Sequence, residues 1–106
     1  MGWDARTDKN QGELVDAWRK MGGSALLLHR VGQGCPDLLL GMYGEMVLVE
    51  VKTESGRLSD RQKAWREEWR GPKPRVLRNL DELQELQHDL YAASAMRYAQ
   101  ERQYTT

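Results

Sequence analysis

Cysteine is nearly absent from this chain: Cys35 is the single one in 106 residues. No intrachain disulfide can form, and one chain cannot assemble a thiolate metal cluster, so a reducing compartment is the expectation. Histidine is equally sparse, with His29 and His88 isolated from one another and giving no ligand pattern. Long hydrophobic runs are missing as well. The richest, residues 25–28 and 46–49, fall far short of a membrane span, and the first ten residues lack the basic and apolar blocks of a signal peptide. The expected location is the cytoplasm. Formal net charge is zero, which excludes the globally basic surface of a non-specific nucleic-acid coat protein. There is no internal repeat and no low-complexity segment.

What is present is ordinary for a folded domain. Hydrophobic residues make up 40% and charged residues 30%, and a chain of this length supports one core rather than two, so we expect a single domain over residues 1–106. Leu14, Val15, Trp18 and Met21 recur at helical spacing before Gly22-Gly23, which predicts a first helix over residues 11–21. Residues 25–31 form an aliphatic run closed by Gly32-Gln33-Gly34-Cys35-Pro36, a strand ending near Val31. Residues 36–42 and 45–53 flank Tyr43-Gly44 and read as a hairpin. Ser59-Asp60-Arg61-Gln62 is a capping-box signature for a second helix, in which Trp65 and Trp69 are expected in the core. Residues 74–78 predict a fourth strand. Asn79-Leu80-Asp81-Glu82 opens a last helix over about residues 80–103, with Leu83, Leu86 and Leu90 on one stripe. The order αβββαβα is an α/β layout: a mixed four-stranded sheet flanked by helices.

Along residues 45–53, Val47, Val49 and Val51 share one face, while Met46, Leu48, Glu50 and Lys52 share the other. A hairpin turning at Tyr43-Gly44 places Asp37 opposite Glu50, with their Cβ atoms roughly 4.5 to 5.5 Å apart. Two carboxylates side by side in an apolar hairpin need a positive partner, and either Lys52 or a metal ion could supply it. Hard oxygen donors without a Cys or His cluster favour Mg²⁺ or Mn²⁺ over zinc. From Arg57 to Arg78 there are also eight basic residues against three acidic ones. Alone that run is a solvated helix face, with only modest support for a phosphate-binding surface.

Cys35-Pro36-Asp37, followed after the hairpin by Glu50-Val51-Lys52, resembles the motif of the PD-(D/E)XK nucleases. The continuation through Thr53, Gly56-Arg57-Leu58-Ser59, Gln62 and Trp65 resembles the VRR-NUC branch of that superfamily, with the specific match over residues 34–65. The resemblance implies a restriction-endonuclease-like fold and a metal-dependent endonuclease acting on DNA. In the stand-alone versions typical of phages it implies a homodimer acting on branched DNA such as four-way junctions, and for a phage protein the location would be the bacterial host's cytoplasm. It further implies Asp37, Glu50 and the backbone carbonyl of Val51 as ligands to Mg²⁺, with Mn²⁺ as substitute, and Lys52 as the group that polarises the attacking water. Glu13 matches the acidic residue of the first helix that the family uses beside the metal, directly or through water, although Asp16 on the same helix could substitute. Gln62 matches the family glutamine.

Each assignment has an alternative. Gln62 could simply complete the Ser59 capping box, Glu13 could be an ordinary exposed helix residue, and Lys52 a strand-end lysine reaching solvent. Cys35 reads as a small buried filler, since no histidine is placed to activate it as a nucleophile. Arg57, Arg61 and Arg66 are the candidate phosphate contacts. A non-enzymatic DNA-binding module that keeps the nuclease fold is the alternative function. The last helix carries Tyr91, Ala92, Ala93, Ala95, Met96, Tyr98 and Ala99 beyond Leu90, more apolar and small surface than one core-facing stripe needs, and so a candidate dimer surface.

Overall fold

The turn at Tyr43-Gly44 sets the register of the sheet. Both residues have positive φ, 60° and 76°, as a two-residue type I′ hairpin requires. The pairs then run from Met42↔Glu45 to Leu38↔Val49. Extending this ladder by one position brings Asp37 level with Glu50. The computed structural model describes residues 5–104, so the expected domain limits, residues 1 and 106, lie outside the described residues. The elements are α1 (Ala5–Lys20), β1 (Ser24–Leu27), β2 (Leu38–Met42), β3 (Glu45–Val51), α2 (Asp60–Glu68), β4 (Arg75–Leu77) and α3 (Leu80–Tyr104), in the expected order αβββαβα. They build one four-stranded sheet of order β1-β2-β3-β4. The first three strands are antiparallel, and β4 lies parallel to β3 after the α2 crossover.

Strand alternation decides which side of the sheet is covered. Leu38, Leu40 and Met42 of β2 and Val49 and Val51 of β3 are buried with Leu14, Val15 and Trp18 of α1 and Leu83, Leu86 and Leu90 of α3. Fully burying each such side chain contributes roughly 1.5–3 kcal/mol before the entropy of ordering it is counted. Trp18, wholly buried, satisfies its indole by donating from Nε1 to the carbonyls of Ser24 at 3.1 Å and Gly41 at 3.3 Å. Gly23 lies flat against this indole, and a Cβ there would overlap the ring.

Four expectations are changed. Among the described residues α1 already runs from Ala5, six residues before the expected residue 11, because its first turns are polar and show no apolar periodicity. β1 ends at Leu27 rather than Val31: Leu28 N still donates to Asp37 O at 2.8 Å, but Val31 N then turns back to Leu28 O. Gly32, Gln33 and Gly34 follow with positive φ. Trp65 and Trp69 are not in the core, since α2 buries no residue. Their rings stack on each other at 4.9 Å, and Trp69 Nε1 donates to Pro72 O. Cys35 is half-buried rather than buried.

The capping box of α2 is complete, with Ser59 and Gln62 exchanging hydrogen bonds. That of α3 is shifted by one residue. Asn79 Oδ1 accepts from Glu82 N, while Glu82 reaches past Asn79 to accept from Arg78 N. The second half of α3 runs beyond the core, tied to the hairpin by Arg97, which donates to Glu45 and to Gly44 O.

Candidate active site

Polar groups from five segments converge on one open cleft of about 660 Å³. Its walls are the first turns of α1, the loop after β1, the residues just before β2, the end of β3 with the turn that follows, and the start of α2. Asp37, Glu50, Val51, Lys52 and Gln62 all line it. The hairpin register brings the two carboxylates together, and strand alternation puts Glu50 on the face opposite Val49 and Val51.

Glu50 is only 3% exposed. Burial is the main reason that its carboxyl is pushed up to about 9, with the hydrogen bond to Asp37 and the Asp37 charge adding to it and the charges of Lys52 and Arg66 opposing it. Without an ion, this environment therefore favours the protonated form of Glu50, hydrogen-bonded to Asp37. Asp37 is fixed in turn by accepting from Val51 N at 2.8 Å.

Gln62 closes the cap and reaches the carboxylate pair at once. Its Oε1 accepts from Ser59 N at 2.8 Å, closing the cap, and its Nε2 donates to Glu50 Oε1 at 2.9 Å. The start of α2 is thereby fastened to the carboxylate pair.

Glu13 is not brought to this cleft. It is exposed and lines a separate recess with Asn10, Leu14 and Arg78, while Asp16 is exposed further along α1. The face of α1 that lines the cleft carries Thr7 and Asp8, with Gln11 one turn further along. Asp8 is an acidic side chain on the cleft for which the sequence offers little sign beyond a run of polar residues ahead of the apolar stripe. His29, isolated in sequence, stands on the cleft's rim.

Of the three arginines, Arg57 lines the cleft, Arg61 is exposed, and Arg66 is half-buried with its Nη1 buried and unpartnered among the described residues. Arg66 acts on Glu50 through its charge. Gly34, at φ +82°, packs against the Arg61 carbonyl so closely that a Cβ would overlap it, which presses the loop after β1 onto α2. Cys35 also lines the cleft. Burial first, then the charges of Glu50 and Asp37, push its thiol up, away from the thiolate that a nucleophile needs.

This donor set fits a hard divalent cation. Two carboxylates are forced together, and one of them is neutralised by a proton that a cation would replace. Among the described residues no group of three or more His, Cys, Asp or Glu side chains could hold an ion. Two carboxylates and a peptide oxygen would leave the remaining positions to water, as Mg²⁺ prefers and as zinc sites do not.

An α/β sheet that delivers Pro-Asp and Glu-Val-Lys to one cleft defines the nuclease fold of the PD-(D/E)XK class. The family model for the VRR-NUC domain matches residues 1–78, and the chain belongs to this family, whose domain is a nuclease domain. A solved VRR_NUC domain shares the fold, with a TM-score of 0.65 at 23% identity, over 80% of this chain and 97% of that one. No curated protein sequence matches the chain. Membership supports a nuclease-type, DNA-processing function, and the family suggests a divalent-metal requirement. The family match ends before α3 begins.

Proposed function

We propose that this domain is a Mg²⁺-dependent endodeoxyribonuclease, with Mn²⁺ able to substitute, that hydrolyses phosphodiester bonds in branched DNA such as four-way junctions. The observation that carries the reading is the buried Glu50, joined to Asp37 and Gln62 in the cleft that also holds Lys52. Asp37, Glu50 and the Val51 carbonyl would hold the ion, which when bound neutralises charge at the scissile phosphate and acidifies water. Lys52 polarises the attacking water at its ammonium group. Gln62 keeps one oxygen of Glu50 from rotating. Asp8, on the cleft where Glu13 was expected, would act through water. Labelled linear, single-stranded, flapped and four-way DNAs, incubated with each metal, test the proposal. Preferred cutting of the junction is the expected result, and a panel left intact refutes it. Binding without metal-dependent cutting would instead identify a DNA-binding module that keeps the nuclease fold. For a phage protein the place of action would be the cytoplasm of the bacterial host.

The DNA backbone would run past Arg57 and Arg61. Each neutralised phosphate contributes about 0.9 to the slope of log affinity against log salt. Arg57→Ala combined with Arg61→Ala should therefore flatten that slope by roughly 2, while Arg66→Ala, already turned inward, should leave it nearly unchanged. Titrations of labelled junction DNA over a range of salt measure this. An unchanged slope in the double variant places the DNA elsewhere.

Symmetrical cutting of a junction needs two centres, which a C2 homodimer supplies. The surface that favours it is the second half of α3, where Tyr91, Met96 and Tyr98 are 62%, 65% and 60% exposed among small alanines. Both tyrosines also have partners in their own chain: the Tyr91 ring meets Tyr43 edge to face at 5.3 Å, and Tyr98 lies beneath Arg102. They would thus enter an interface already oriented. Light scattering at micromolar concentration should give twice the 12.3 kDa of one chain. A monomer mass retained while junctions are cut rules the dimer out.

A further inference from the structure

After Val51 the chain leaves the sheet, and residues 52–56 carry the cleft's lysine with no strand alongside. Their backbone is instead gripped from distant parts of the chain. Lys52 N donates to Leu77 O at 3.0 Å, which fixes the peptide that bears the Val51 carbonyl. Asn10 Nδ2, from α1, donates to Lys52 O at 2.9 Å and also to Arg78 O at 3.1 Å. Arg78 Nη1 donates to both Thr53 O and Gly56 O, each at 2.6 Å. The turn is closed on itself by Gly56 N donating to Thr53 O at 3.1 Å. Packing leaves little slack, since a Cβ on Gly56 would stand 3.1 Å from Thr53 Oγ1 and 3.4 Å from Lys52 Cβ.

Neither Asn10 nor Arg78 lines the cleft. Both line the recess behind it, so they act on the site through the backbone. Water could satisfy these carbonyls equally well if only hydrogen bonding were at stake. One planar NH₂ group of the guanidinium shared between two carbonyls of one turn restricts the geometry of that turn, and an amide bridging Lys52 to Arg78 couples the turn to α1 and β4. Misplacing a reacting group by about 1 Å can slow a reaction about a hundredfold.

We propose that Asn10 and Arg78 are positioning residues that aim Lys52, and with it the Val51 carbonyl, into the cleft. The proposal rests on the nuclease reading for its catalytic half only; the grip itself is independent of it. Asn10→Asp keeps the size and removes the donor, and Arg78→Ala removes the bridge. Each should lower kcat by about tenfold or more with KM for DNA within about threefold. Hydrogen exchange at residues 52–57 should become faster while the exchange of core amides in β2 and β3 stays as in the unaltered protein. Arg78→Lys, which keeps a cationic donor without the planar guanidinium, should fall between and serves if Arg78→Ala fails to fold.

Unchanged exchange at residues 52–57 overturns the grip. Faster exchange with unchanged kcat overturns its catalytic role, and kcat, KM and core exchange moving together reduce both residues to general stabilisers. If the unaltered chain cuts no DNA, the nuclease reading and the catalytic half fall together, and exchange still decides whether the grip exists.

Discussion

Glu50→Gln should abolish metal-dependent cleavage, by roughly a thousandfold or more, and at the same time make the metal-free protein more stable at alkaline pH. The two effects have one cause. Glu50 is buried, and its carboxyl is pushed from an ordinary 4.5 up to about 9. Between those values the folded chain carries a proton that the unfolded chain has lost. Stability is then complete below about pH 4.5, falls as pH rises, and levels off above about 9. Glutamine has no proton to lose. Its amide can donate to Asp37 as the protonated carboxyl does, and its oxygen can still accept from Gln62 Nε2. Thermal denaturation from pH 6 to pH 9 should therefore show the unaltered protein losing several degrees relative to Glu50→Gln when no metal is present. Added Mg²⁺ should reverse the order: the ion compensates the Glu50 charge, and its binding releases the shared proton. Melting curves that stay parallel across the range would mean that Glu50 is already ionised and that the proposed proton between it and Asp37 does not exist.

The parts of the site written into a single strand or cap were legible in the sequence. The hairpin turn fixed the register that opposes Asp37 to Glu50, and the Ser59-Gln62 cap placed the glutamine. Helix faces were harder. Periodic apolar residues locate the buried stripe of α1, but a helix face that lines a polar cleft has no reason to be apolar, so periodicity gives no sign of Thr7, Asp8 and Gln11, and the family resemblance points to Glu13, which faces a separate recess. The tryptophans misled for the converse reason. Aromatic residues four apart on a helix predict burial only when the helix has a surface to pack on, and α2, which buries no residue, is held by polar and backbone contacts such as Gln62 on Glu50 and the Arg61 carbonyl against Gly34. The basic run was legible as charge but not as a surface: Arg75 pairs with Asp89, Lys73 donates to Arg66 O, and Arg78 turns inward to backbone carbonyls. Sequence position alone does not reveal which charges a fold spends on itself.

Lys52→Ala should slow cleavage by about a thousandfold while sparing the architecture, because everything that holds residue 52 in place acts on its backbone: its N–H on Leu77 O and its carbonyl under Asn10. Metal binding should respond in a way that depends on pH. The Lys52 charge favours ionised Glu50, so without it the ion must displace a more firmly held proton, and Mg²⁺ affinity should fall near pH 7. Above about pH 9, where Glu50 is ionised in the unaltered protein too, that handicap shrinks, and losing a neighbouring cation should make Mg²⁺ bind as well or better. Calorimetric titration with Mg²⁺ at both pH values reads this crossover. The decisive quantity is kcat at saturating Mg²⁺. If Lys52 polarises the attacking water, the deficit persists when every site holds its ion, because a filled ion site does not restore the missing ammonium group. If saturating Mg²⁺ restores the unaltered rate, the lysine serves only to keep Glu50 ionised, and the activation of water must be assigned to the ion and the carboxylates alone.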